Sequence, residues 1–237
     1  MTTRVQLGTG LTYQVQVVGV SGQLALLALL WEAVGMGLVG WLVGTACAVF
    51  TCAVLASALR RSRARWLGPA DRVTLARAVL VGGVTALVTD RLGEDAPVMV
   101  LVALASVALL LDAVDGQVAR RTGTASPMGA RFDMEVDAFL ILVLSVHVAT
   151  SLGAWVLAIG AMRYVFVAAI WVAPWLGSAL PPSFARKTVA ALQGIILVVA
   201  GAGVLPRPVT AVSVGLALTL LMWSFGRDIV WLRRHGR

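Results

Sequence analysis

Residues 109–139 read LLLDAVDGQVARRTGTASPMGARFDMEVDAF. Four aspartates, Asp112, Asp115, Asp133 and Asp137, crowd into this stretch where two apolar runs meet. At about 100° per residue, Asp112, Asp115, Gly116 and Ala119 share one helical face. Gly129, Asp133 and Asp137 stack at four-residue intervals on the next helix. Gly123 and Pro127 turn the chain between the two. The expectation is a pair of antiparallel helices whose four carboxylates converge near one end.

The rest of the chain says where these carboxylates lie. It is 59% hydrophobic and only 13% charged, with a mean hydropathy of +0.92. Soluble domains carry about 25% charged residues. This composition implies an all-α integral membrane protein, and 237 residues hold roughly six to eight helices of ~20 residues. Residues 21–59 fit two N-terminal spans joined at a glycine-rich turn near Gly37–Gly40. Six more fit near 72–90, 97–117, 129–151, 154–175, 187–205 and 208–228. The expected division is a two-span extension with a basic loop over 1–66, then a transmembrane core over 67–237.

The net charge of +8 does not imply nucleic acid. Arginines cluster in short segments between apolar runs: Arg60, Arg61, Arg63 and Arg65, then Arg120, Arg121 and Arg131, then Arg186 with Lys187, then the C-terminal group. That is the positive-inside pattern of cytoplasmic loops. A nucleic-acid groove would need interleaved aromatics on a polar face, and none is visible. Eight spans place both termini and the arginine-rich loops in the cytoplasm, with only Arg91 and Arg207 opposite. The N-terminal stretch lacks the pattern of a signal peptide. Cys47 and Cys52, five apart in an apolar run, read as small core residues rather than a disulfide or metal pair.

Carboxylates at membrane depth cost roughly 2.5–3.5 kcal/mol each on insertion scales, and like charges raise the cost further. Their partner must be cationic. Oxygen-only ligands point to Mg²⁺ or Mn²⁺, and four carboxylates suit two such ions, as in sites that clamp a diphosphate for in-line displacement. The small residues Gly116, Ala119 and Gly129 leave room for a bulky ligand near the backbone. A plainer reading has the aspartates cap helices or pair with Arg120, Arg121 and Arg131 in a solvated loop. A polytopic transporter using intramembrane carboxylates for cation or proton coupling is the competing function. A transporter more naturally scatters its acids over several helices and shows inverted repeats, whereas here they are confined to two adjacent helices.

The stretch reads D-x-x-D-G-x-x-A-R, eight residues, then G-x-x-x-D-x-x-x-D, with Asp112, Asp115, Gly116, Ala119, Arg120, Gly129, Asp133 and Asp137 at the fixed positions. It resembles the signature of the CDP-alcohol phosphotransferases. That resemblance implies a six-helix transmembrane core and an enzyme of phospholipid biosynthesis. Such an enzyme transfers a substituted phosphate from a CDP-alcohol to an acceptor alcohol and releases CMP. It further implies that Asp112, Asp115, Asp133 and Asp137 hold two divalent cations, Mg²⁺ or Mn²⁺, on the donor diphosphate. Asp137 is also implied as the base that deprotonates the acceptor hydroxyl. Gly116 and Arg120, with Ala119 and Gly129 beside them and the loop hydroxyl of Ser126 nearby, are implied to bind the CDP part. Upstream, ADRVTLAR resembles the family's N-x-x-T-x-x-R, matching Thr74 and Arg77. Asp71 stands in place of the usual asparagine and can still accept from the cytosine amino group.

A lipid donor such as CDP-diacylglycerol suits a cavity open to both bilayer and cytoplasm, with a small polar alcohol as acceptor. A homodimer is compatible with this architecture. Arg163 sits mid-span, where it either meets an acceptor phosphate or pairs with Glu135 or an aspartate. Arg186 and Lys187 are positive-inside charges or contacts to an anionic acceptor. Gln193 either lines the cavity or bonds a backbone, and His147 reads as a packed core histidine.

Overall fold

A computed structural model describes the backbone of residues 2–62, 69–92, 97–122, 127–178, 180–181 and 183–235. Within it, the side chains of 2–15, 55–56, 58–62, 69–71, 115–122, 127–128 and 235 lie outside the description. The described residues form eight α-helices, two 3₁₀ turns and no strand. The helices are α1 (Thr2–Val34), α2 (Leu38–Ser62), α3 (Pro69–Asp90), α4 (Val98–Thr122), α5 (Pro127–Leu152), α6 (Leu157–Val172), α7 (Phe184–Gly201) and α8 (Arg207–His235).

Six segments among the described residues are long and apolar enough to cross a membrane: Gln16–Val34, Arg72–Asp90, Gly129–Leu152, Ala154–Val172, Phe184–Gly201 and Arg207–Arg234. α2 and α4 carry the shorter apolar stretches Leu38–Val54 and Val98–Val114. Bare apolar side chains such as Phe50, Trp171 and Val172 cover the outside. Such a surface is stable only against hydrocarbon. The protein is an all-α, multi-pass membrane protein.

The chain gathers into two compact units, Met1–Leu140 and Ile141–Arg237. In the first, α3 is the central element and packs against α1, α2 and α4. Its span is 61% buried, against 17% for Ala154–Val172, so α3 is a helix surrounded by helices. Glycines make this possible, since a Cβ on Gly82 would stand 2.6 Å from the Gln23 amide and one on Gly83 would stand 2.7 Å from Leu26 Cδ2. With only hydrogen there, α1 and α3 approach closely, as small residues allow in membrane helices.

The α1–α2 turn falls at residues 35–37, not at the expected Gly37–Gly40. Gly35 takes a left-handed φ of 64° and donates its N–H to Trp31 O at 3.0 Å, ending α1. Gly40 is already inside α2.

In the second unit, the C-terminal half of α5 meets α6 where Gly160 lies against Leu142 and Ser145. α7 and α8 pair through Gln193, whose buried amide donates to Ala217 O at 2.8 Å. Gln193 therefore bonds a backbone, the second of its two expected roles. His147 donates from Nε2 to Gly201 O at 3.2 Å, since a carbonyl can only accept. At the other end of the α7–α8 pair, Asp228 takes Arg186 at 3.0 Å and Arg227 at 3.3 Å. Ser183, the N-cap of α7, accepts from Arg186 N–H and from Arg227. Cys47 and Cys52 are both free.

Candidate active site

Pro69 opens α3 at a position where its missing N–H costs nothing. Two turns further, Thr74 and Arg77 point into the protein, Thr74 buried and Arg77 fully so at 0% exposure. Asp112 comes from the C-terminal part of α4. Gly129, Asp133 and Asp137 run along one face of α5, which Pro127 starts in the same way that Pro69 starts α3.

These elements meet at one guanidinium. Arg77 Nη1 lies 2.9 Å from Asp112 Oδ1 and also pairs with Asp133 Oδ1, while Nη2 pairs with Asp137 Oδ1. The three carboxylates offer oxygens within 4.8 Å of one another. Their side chains remain 31–39% exposed, so the cluster is open on the side away from Arg77. An arginine suits this place because its planar fork is pre-organised for several carboxylates at once and stays charged when buried.

The convergence therefore runs through three helices, where the aspartate spacing alone suggested two. The reason is electrostatic. Helices bearing three like charges at one level repel unless a cation sits between them, and α3 supplies it. Sequence reasoning matched Arg77 to a motif but gave it no place in the site, and instead weighed Arg163 as the costly mid-span arginine. The same cost argument applied to Arg77, inside the span Arg72–Asp90, would have found it.

When all three are ionised, three carboxylates against one guanidinium leave two negative charges in excess, which is one divalent cation's worth. The donors are all hard oxygens, spaced near the span of a single coordination sphere, so the residues fit Mg²⁺ or Mn²⁺. Of the other expected site residues, Gly129 is half-buried near the start of α5. Asp71, Asp115, Gly116, Ala119 and Arg120 lie on helices, but their side chains are outside the described residues, as is Ser126 entirely. Arg163 is half-buried in α6, in the second unit, and Glu135 is exposed on α5, in the first. Arg186 is engaged by Asp228 and by Pro181 O at 2.7 Å, and Lys187 follows it in the first turn of α7.

Residues 67–223 match the family model described as CDP-alcohol phosphatidyltransferase. The chain belongs to that family. The match begins just before α3 and ends within α8, so every candidate site residue lies inside it and α1 and α2 lie outside. No curated protein and no solved structure matches the chain. A CDP-alcohol phosphatidyltransferase moves a phosphate-linked alcohol between two oxygens, and the acidic cluster has the charge and the donor atoms for that chemistry. Membership of the family also sets aside the transporter reading.

Proposed function

We propose that this protein transfers a substituted phosphate from CDP-diacylglycerol to a small polar alcohol at the cytoplasmic face of the cell membrane, releasing CMP, as a step of phospholipid biosynthesis. The observation that carries this reading is the meeting of Asp112, Asp133 and Asp137 on Arg77, within the segment matched to the family.

In this reading the acceptor hydroxyl oxygen attacks the phosphorus that bears the diacylglycerol. The bond from that phosphorus to the CMP phosphate breaks, CMP leaves with the electron pair, and the hydroxyl proton passes to Asp137. Arg77 holds Asp137 through Oδ1, and in this reading Oδ2 is the atom that takes the proton. Asp112, Asp133 and Asp137 would hold one divalent cation and, together with Asp115 and the donor diphosphate, a second; the pair would neutralise the diphosphate and its leaving group. Thr74 and Gly129, with Asp71, Gly116, Ala119, Arg120 and Ser126, form the CDP side of the site. Arg163, Arg186 and Lys187 are assigned to an anionic acceptor. Residues 1–66 are an extension to this core.

The test uses purified protein, labelled CDP-diacylglycerol, Mn²⁺ and a panel of alcohols that includes inositol phosphate, glycerol phosphate and serine. The reading expects CMP and a new labelled lipid with at least one acceptor, and neither product when a chelator is added. CMP release that ignores both acceptor and chelator would contradict it.

A further inference from the structure

The α1–α2 hairpin lies outside the family match, yet it is fastened along much of α3. At the C-terminal end of α3 the Asp90 carboxylate, only 6% exposed, accepts from Gly37 N–H at 2.8 Å and from Gly40 N–H at 3.0 Å. It thereby caps the first turn of α2. Arg91 does the opposite: its Nη2 donates to Val34 O at 3.1 Å and Gly35 O at 3.2 Å, closing the last turn of α1. One dipeptide thus satisfies orphan donors of one helix and orphan acceptors of the other, each with the sign of charge that the helix dipole favours.

The grip continues down α3. Gln23 is buried against Gly82, and a Cβ on Gly19 would stand 3.2 Å from Leu75 Cδ1. Leu75, Ala78, Val79, Gly82 and Ala86 form one stripe, and Arg77 projects about 160° away from it. Hairpin and acidic cluster therefore hold opposite faces of a single helix.

We propose that the α1–α2 hairpin is a brace that sets the rotation and depth of α3, with Asp90 as the positioning residue that locks it, so that Arg77 meets its three carboxylates. The catalytic consequence rests on the function proposed above. The mechanical claim stands on the packing alone.

The two are separated by reading both exchange and kinetics in the full-length, detergent-solubilised protein. Asp90 and Arg77 are thirteen residues apart, or about 20 Å along the helix. In Asp90→Ala, amide hydrogen exchange should rise around residues 34–40 and also around residues 73–78. The kcat should fall about ten- to a hundredfold, as small misplacements of catalytic groups do, and Asp90→Asn, which keeps one acceptor oxygen, should fall between. Faster exchange confined to 34–40 and 86–91, with kcat near that of wild type, would make Asp90 a local cap and overturn the brace. If Asp90→Ala does not fold, the same two readouts on Asp90→Asn decide. If the wild type transfers nothing, the function proposed above fails, while exchange at 73–78 still decides the brace.

Discussion

Arg77 Nη1 lies 2.9 Å from Asp112 Oδ1, joining the central helix of the first unit to the first aspartate of the acidic stretch. Asp112 and Arg77 are 35 positions apart on different helices, and Asp133 and Asp137 reach the same guanidinium from a third. A fully buried arginine with three partly exposed carboxylates is both a structural joint and a charge reserve.

Arg77→Lys should therefore be far from conservative. An ammonium keeps the charge but cannot reach three carboxylates with a planar fork. Breaking a buried pair costs about 3–5 kcal/mol, and less here because the carboxylates are about one-third exposed. The melting temperature should fall by several degrees and transfer by at least about tenfold. A lysine variant with wild-type stability and turnover would remove Arg77 from the centre of the site.

Asp112→Asn and Asp133→Asn should each abolish turnover at saturating Mg²⁺. Each removes a charge and a ligand atom from a cluster whose excess negative charge matches a divalent cation. The measurement is CMP release across a Mg²⁺ titration. Recovery of the wild-type rate at high Mg²⁺ would reduce the lost aspartate to an affinity role.

The charge spacing made the acids legible, because four aspartates in an apolar chain have few other uses and their periodicity places them on helix faces. The all-α membrane architecture was equally open to reading from hydropathy. Four features were not. Arg77 was hidden because its partners are separated from it by 35 to 60 positions, a distance over which periodicity says nothing. The α1–α2 turn was misplaced by a few residues because its position depends on Asp90, more than fifty positions away, as well as on Gly35. The reach of α1 back to Thr2 was missed because Thr, Gln and Gly interrupt the apolar pattern before Ser21. Asp228, which joins Arg186 to Arg227, was likewise a long-range partner.

Gly160→Ala tests packing in the second unit without touching the acidic residues. The new methyl would stand 2.2 Å from Ser145 Oγ and 2.5 Å from Leu142 Cα. The hydroxyl can rotate away, but the backbone carbon cannot. Overpacking of this kind costs typically about 1–3 kcal/mol, read as a lower melting temperature in detergent. An unchanged melt would mean that α5 and α6 separate more easily than their contact implies.

Arg163→Ala tests the acceptor assignment. If Arg163 meets an acceptor phosphate, the acceptor KM should rise about ten- to a hundredfold, the loss of one charge-assisted contact of roughly 1.5–3 kcal/mol. The donor KM should hardly move. A fall in melting temperature with both KM values intact would assign Arg163 to structure instead.

The central claim, that the acidic cluster performs the transfer, is tested most directly by Asp137→Asn. The substitution keeps the shape of the side chain and removes its ability to take a proton. The measurement is CMP release under saturating donor, acceptor and Mn²⁺, alongside the donor KM. The account predicts a kcat lower by about 10²–10⁴-fold, as expected when a general base is lost, with a much smaller change in donor KM. Release of CMP at the wild-type rate would contradict it.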